Sequence, residues 1–123
     1  MSIEKILPSS TYKIVVPEHI SKHSGYFTIV GEFEPEAFFL NSKEMISFQW
    51  VVALMTSFSR QVSAGVPVEN IIKDMKSTFD PNGAYYIPSS NGVQVNSIIH
   101  HLGLVLEKHM DYKIAEQDSI DNM

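Results

Sequence analysis

The first third of the chain alternates between apolar and polar positions with a period of two, which is typical of half-buried β-strands. The alternating runs are TYKIVV (residues 11–16), GYFTIVGEF (residues 25–33) and the short AFFL (residues 37–40). Between the last two, EPE from Glu34 to Glu36 places a proline where a turn tolerates its fixed backbone angle. We therefore expect three strands, of which the second and third form a hairpin.

The period changes to about 3.6 after residue 40, which predicts helices for the rest of the chain. Asn41, followed three positions later by Glu44, has the form of a capping box at a helix start. Gly65 is expected to end this first helix, and Pro67 suits the first turn of the next one. The apolar stripe of the first helix consists of Met45, Phe48, Val52, Met55, Phe58 and Val62.

Two more helices follow in the pattern. The third is expected to start near Asn91 and Gly92 and to run to about Met110, whereas the segment after Tyr112 is polar, acidic and without periodicity. We expect that last segment to be frayed. The second helix, in GVPVENIIKDMK, is predicted to turn these residues inward: Val68, Ile71, Ile72 and Met75.

Strands that come first and helices that come afterwards indicate an α+β fold. We expect a small antiparallel sheet of about three strands, covered on one face by three helices, in the order β-β-β-α-α-α. The prediction is one domain over residues 1–110 and a C-terminal tail over residues 111–123.

Composition and charge narrow the classes of function. With 123 residues and 44% hydrophobic residues, the chain is long and apolar enough to bury one core. Its formal charge is −5 and its nine Lys and Arg residues are scattered, which argues against direct binding of nucleic acid. No apolar run reaches the roughly 20 residues that span a bilayer, and the N-terminal MSIEKILPSS has no apolar signal core. We therefore expect a cytoplasmic protein that does not bind a membrane.

The common catalytic motifs are absent from the sequence. The chain has no cysteine, which excludes disulfides, thiolate metal sites and sulfur-based nucleophiles. His100 and His101 are adjacent and would diverge on a helix, while His19 and His23 lie in a loop pattern, so no metal site is assigned. No strand-turn-helix elbow presents a serine, and the glycines are too dispersed for a phosphate-binding loop.

Three sequence markers carry a resemblance to a known family. They are NSK at residues 41–43, Trp50 on the helix that follows, and FDPNG at residues 79–83. Together with HISKHSGYFTIV and the closing SIIHHLGLVLEKHM, they resemble the TSCPD domain, which occurs near the C-terminus of vitamin B12-dependent (class II) ribonucleotide reductases. The similarity spans roughly residues 15–110 and is greatest to the small chains of that family that are encoded apart from the catalytic subunit.

The resemblance implies a link to deoxyribonucleotide synthesis, and the missing cysteines limit what that link can be. Reduction of a ribonucleotide in this family requires a cysteinyl radical and a cysteine pair, neither of which this chain has. We therefore expect a non-catalytic accessory domain that docks on a catalytic subunit. No cofactor is expected to bind this chain directly, and adenosylcobalamin is implied only through the partner subunit.

Several residues outside the apolar stripes are candidates for binding a ligand or a partner. Lys43 is either an anion-binding cation at a helix start or a solvated lysine beside an N-cap, and Trp50 is either an interface anchor or a core residue. In FDPNG, Asp80 is either a general base or a turn residue in a turn that Gly83 closes and Phe79 fixes to the core. The full set of candidates is Asn41, Lys43, Trp50, Arg60, Asp80 and Gly83.

Two other functions remain open at this point. A stand-alone regulatory module would bind a nucleotide-like small molecule without a protein partner. A small acid-base enzyme would use Asp80 with His19, His23 or His101, and this hypothesis requires those groups to share a pocket. A homodimer is also expected, because a small domain with an open sheet edge and exposed aromatic residues often associates with itself.

Overall fold

Three antiparallel strands form the main sheet, in the spatial order β1-β2-β3. They are β1 (Ser9–Ile14), β2 (Gly25–Val30) and β3 (Ala37–Ser42). The computed structural model describes residues 7–43, 48–80 and 83–121. The central strand β2 pairs with both neighbours along its whole length. The predicted antiparallel sheet and its β2–β3 hairpin are therefore confirmed.

Three helices follow the sheet, which confirms the predicted α+β class. A second antiparallel sheet, of two strands, comes between the last two helices in the order of the chain. The sequence pattern does not predict it. Among the described residues, no helix combines the length and the apolar character needed to cross a membrane. The helices are α1 (Gln49–Ser63), α2 (Val68–Lys76) and α3 (Ile98–Asp121), and the short strands are β4 (Tyr85–Tyr86) and β5 (Gln94–Val95).

One face of the sheet packs on the helices, because alternate strand residues are apolar. Phe27 and Phe38, on neighbouring strands, stack in the core with ring centroids 6.3 Å apart. The four residues predicted to face inward on α2 are all buried, as that prediction requires. The opposite sheet face carries polar and aromatic side chains, including Lys13, Tyr26 and Asn41, which align as partners across the three strands.

Helix α1 covers the edge strand β3 and satisfies part of its backbone. The amide of Phe38 donates a hydrogen bond to Ser59 Oγ at 2.9 Å. The same hydroxyl oxygen lies 2.7 Å from the carbonyl oxygen of Met55 in its own helix, to which it donates. A backbone donor at the sheet edge thus has a partner from a helix rather than from another strand.

The predicted start of the first helix is wrong. Asn41 does not cap a helix but belongs to β3, where it pairs with Tyr26, and α1 begins only at Gln49. Its partner in the expected capping box, Glu44, lies outside the described residues. Phe48 occupies the N-cap position of α1, and its side chain makes no capping hydrogen bond. Pairing with β2 extends β3 through Ser42 because backbone hydrogen bonds outweigh the weak helix signal there.

Both predicted ends of the third helix are also wrong. Asn91 and Gly92 lie in the connection between β4 and β5, where each has a positive φ, and α3 starts at Ile98. Ser97 provides the cap, since its hydroxyl accepts a hydrogen bond from the His100 amide at 3.0 Å. At the other end the helix continues past Met110 to Asp121.

Candidate functional site

The six candidate residues from the sequence lie in three separate places on the surface. Asn41 and Lys43 line one pocket, Trp50 lines another together with Asp80 and Gly83, and Arg60 lines a third. The candidates predicted from the sequence therefore do not form one site in the folded chain. They also leave out several side chains that complete the first pocket.

The basic pocket, as we call the first of these, has a volume of about 580 Å³. It extends over the outward face of the sheet at the end where β2 begins and β3 ends. Because Lys43 directly follows β3 rather than preceding a helix, the expectation that it assists a helix N-terminus is wrong. The pocket is lined by Lys13, Lys22, His23, Ser24, Tyr26, Asn41, Ser42 and Lys43.

The tryptophan cleft, the second place, is smaller, with a volume of about 180 Å³. It brings together Trp50 on α1 and the Asp80–Gly83 turn after α2, two of the three sequence markers. Trp50 is 39% exposed, so it is not a core residue. The cleft is lined by His19, Ile20, Phe48, Trp50, Asp80, Gly83 and Ile98.

A backbone hydrogen bond joins Gly83 to Asp80, as expected for the two ends of the turn that the structural alternative predicted. The Gly83 amide donates to the Asp80 carbonyl oxygen at 3.0 Å, and the Asp80 amide donates to the Asn96 carbonyl oxygen at 3.1 Å. Phe79, however, is 66% exposed. The expectation that Phe79 fixes the turn to the core is therefore wrong. One backbone hydrogen bond closes the turn, and another joins Asp80 to the segment before α3. Residues 81–82 lie outside the described part of the chain.

Arg60 lies apart from the other candidates. It is an exposed residue on the last turn of α1 and lines a shallow groove beside the edge strand β3. The exposed Phe39 and Thr56 line the same groove. An arginine beside an exposed aromatic ring suits a contact surface, but the groove contains none of the other five candidates.

A buried tyrosine–histidine pair was not singled out from the sequence. Tyr85 and His101 share a hydrogen bond of 2.7 Å between the tyrosine oxygen and Nδ1, and both residues are buried. Burial, with a smaller contribution from His100, lowers the pKa of His101 to about 4. Burial also raises the pKa of Tyr85 above its usual range. Both groups are therefore neutral at neutral pH, and the pair acts as a structural contact between the small sheet and α3.

A second pair of the same kind joins α3 to the main sheet. The hydroxyl oxygen of Tyr12 lies 2.6 Å from His109 Nδ1, and the rings meet edge to face with centroids 5.6 Å apart. Burial lowers the pKa of His109, as does the nearby Lys113. The only sequence signal for either pair was a histidine at an inward-facing helix position.

The structure bears in part on the acid-base hypothesis. His19 and Asp80 line the same cleft, whereas His23 lines the basic pocket and His101 is paired with Tyr85. Of the three histidines in that hypothesis, His19 alone thus shares a pocket with Asp80. Within the described ranges there is no cluster of three or more His, Asp or Glu side chains arranged to hold a metal ion.

Comparison of the chain with protein-family models, with curated proteins and with solved structures finds no match.

Proposed function

We propose that this protein is a non-catalytic accessory domain of the class II ribonucleotide reductase type, which docks on a catalytic subunit in deoxyribonucleotide synthesis. On this proposal it acts in the cytoplasm, and adenosylcobalamin belongs to the catalytic subunit. The sequence markers NSK, Trp50 and FDPNG support the link to that family.

The observation that carries the docking role is the tryptophan cleft. Trp50 and the FDPNG turn are distant in sequence, yet Trp50, Asp80 and Gly83 line one surface cleft. Trp50 is partly exposed and Phe79 largely exposed, so aromatic surface is available in both marker segments. Tryptophan is enriched at the energetic centres of protein interfaces because it buries a large area with few rotatable bonds. A cleft of about 180 Å³ has the size for a side chain of a partner rather than for a large cofactor.

The chemistry of the chain supports a role without catalysis. Ribonucleotide reduction through thiols needs cysteines, and the sequence contains none. Tyr85 and His101, whose pKa values burial shifts furthest among the described residues, form a hydrogen bond with one another inside the protein. Neither is placed to meet a substrate.

The test is co-purification from cells that also produce a cobalamin-dependent reductase lacking this domain. A tagged copy of this chain should recover the reductase catalytic subunit, identified by mass spectrometry. Trp50→Ala should weaken the affinity about 30-fold or more and so reduce recovery, because truncation of an interface anchor costs about 2 kcal/mol or more. Tyr112→Ala, which removes an exposed aromatic ring outside the cleft, is the matched control and should leave recovery unchanged.

Melting temperatures of both variants establish that they are folded. The proposal is overturned if the wild-type chain recovers no reductase subunit and its deletion leaves cellular deoxyribonucleotide pools unchanged. Equal loss of recovery in the Trp50 and Tyr112 variants would exclude the tryptophan cleft as the docking surface.

A further inference from the structure

The basic pocket concentrates positive charge on a protein that is negative overall. Three of the nine Lys and Arg residues in the sequence, Lys13, Lys22 and Lys43, line this one pocket, while the chain has a formal charge of −5. None of the eight residues that line the pocket is acidic. The local charge is therefore opposite in sign to that of the whole molecule, which favours a small anion at this place.

The three lysines have no carboxylate to balance them in the described part of the chain. The ion pairs found there are Lys76 with Glu107, at 2.9 Å, and Lys113 with Glu116, at 3.4 Å, both outside this pocket. Ammonium groups that line one pocket repel one another unless an anion lies between them. An anion bound among these lysines would lessen that repulsion.

The sheet fixes the geometry of the pocket floor. Lys13, Tyr26 and Asn41 are direct partners on three neighbouring strands, so Lys13 and Asn41 lie about 10 Å apart across Tyr26. Tyr26 is 46% exposed, which leaves aromatic surface open in the middle of this row. Lys22 precedes β2 and Lys43 follows β3, which places both at the same end of the sheet.

We propose that the basic pocket binds an aromatic phosphate ester of the nucleoside phosphate type. The lysines hold the phosphate groups, and Tyr26 supplies a surface on which the aromatic ring stacks. Asn41 adds an amide that can donate and accept hydrogen bonds beside the ring. The volume of about 580 Å³ lies in the usual range for small-molecule sites.

Charge selects a small ligand over a nucleic acid. A long polyanion would meet the negative surface of the rest of the protein, whereas a single nucleotide meets only the pocket. The site does not depend on the docking proposal, because the basic pocket and the tryptophan cleft share no residue.

Isothermal titration calorimetry of the full chain tests the proposal with three probes: ATP, inorganic triphosphate and adenosine. ATP should bind with one site per chain, inorganic triphosphate more weakly, and adenosine more weakly still. Raising the salt from about 50 mM to about 200 mM should weaken ATP binding, since the Debye length, over which exposed charges are screened, shortens from about 14 Å to about 7 Å.

Variants assign the binding to the pocket. Lys22→Gln and Lys43→Gln should each weaken ATP binding by about tenfold, as expected for the loss of one charge-assisted contact to phosphate. The matched control is Lys73→Gln, which removes an exposed lysine from α2 and should leave the dissociation constant within about twofold.

The aromatic contact has its own pair of variants. Tyr26→Ala should reduce the affinity for ATP to about that for inorganic triphosphate, because base stacking on an aromatic ring is lost. Tyr86→Ala removes another exposed tyrosine, outside the pocket, and should have no effect.

Three results would overturn the proposal. These are no saturable binding of ATP, equal affinity for ATP and inorganic triphosphate, and an equal effect of the Lys73 and Lys43 variants. The second result would mean that the lysines hold an adventitious anion only. None of the three would bear on recovery of a reductase subunit, so this proposal and the docking proposal fail independently.

Discussion

The hydrogen bond between Tyr85 and His101 is the most deeply buried contact between two side-chain polar groups in the described part of the chain. Each group would have an unpaired polar atom without the other, which costs more than an ordinary hydrogen bond contributes. The pair also links the β4–β5 sheet, which follows the FDPNG turn, to α3. Its loss should therefore be measurable in the stability of the whole domain.

Replacing Tyr85 by phenylalanine should destabilise the protein by about 1 to 3 kcal/mol, because the ring remains packed but His101 Nδ1 loses its buried partner. Urea unfolding followed by circular dichroism measures this change. The neighbouring Tyr86 is exposed, and Tyr86→Phe should change the unfolding free energy by less than about 0.5 kcal/mol. Equal effects of the two substitutions would contradict the assignment.

The lowered pKa of His101 predicts a pH dependence of stability. The folded protein resists protonation of His101 down to about pH 4, whereas a histidine in the unfolded chain binds a proton near pH 6.5. Between these values the unfolded state binds more protons, so the unfolding free energy falls as the pH falls. Full stability from this group is present above about pH 6.5, and its loss approaches about 3 kcal/mol near pH 4.

Urea unfolding at a series of pH values from about 7.5 to about 4 checks this prediction. This interval includes the pKa values of His101 in both the folded and the unfolded chain. The pKa values of His100 and His109 are also lowered, chiefly by burial, and change stability in the same direction. A His101→Gln variant should have a shallower dependence than the wild type. A wild-type unfolding free energy that stays constant from neutral pH to pH 5 would rule the prediction out.

Among the elements, helices α2 and α3 pack unusually closely at one residue. A Cβ atom added to Gly103 on α3 would lie 2.9 Å from Met75 Cβ and 3.2 Å from Lys76 Cγ, both on α2. It would also lie 3.3 Å from the backbone nitrogen of Lys76. Glycine is a weak helix former, so its presence inside α3 is explained by this contact and not by local preference.

Gly103→Ala should therefore destabilise the protein by about 1 to 3 kcal/mol, because the two helices must separate to accommodate the methyl group. Helix propensity alone predicts the opposite sign, a gain of about 1 kcal/mol. The unfolding free energy measured in urea decides between the two signs. Ala53→Gly, at an exposed position inside α1, calibrates the propensity effect without a packing change.

Element type could be predicted from the sequence where the pattern is long and regular. The strands and α2 follow their periods because each buries one face, and the inward residues of α2 were assigned correctly. Element ends could not be predicted as well. The pattern around Asn41 resembles a helix cap, but Asn41 pairs with β2. The pattern at Asn91 and Gly92 also indicates a helix start, whereas Ser97 is the residue that caps α3. Local signals at these ends compete with tertiary pairing that the sequence does not display.

At the scale of the whole molecule, the last part of α3 extends beyond the core. From residue 113 to residue 121 the helix is exposed, apart from the half-buried Lys113 and Glu116, which form an ion pair with each other. Little apolar surface of this segment is covered by the rest of the chain. Ile114 and Ile120 in this segment are exposed and offer apolar surface to a second copy of the chain. Self-association of the protein stays a prediction.

Removing residues 113–123 should reduce the unfolding free energy by less than about 1 kcal/mol, because the segment buries little area and its surface ion pair contributes little. Thermal unfolding of the full and shortened chains measures the change. Sedimentation velocity on the same two samples tests the homodimer expectation: a dimer held by this segment becomes a monomer on shortening. A large drop in melting temperature would instead show that the helix end belongs to the folded core.

The sequence by itself determined the α+β class, the strand pairing of β2 with β3 and the inward face of α2, because these follow from the period with which apolar residues recur. It also determined that thiol chemistry is absent, since the chain has no cysteine. Only the tertiary structure decided which polar residues meet. Strand register placed Tyr26 between Lys13 and Asn41, and chain folding brought Trp50 to the Asp80 turn. These residues are far apart in sequence, and no local pattern of apolar and polar positions indicates which of them become neighbours in the folded chain.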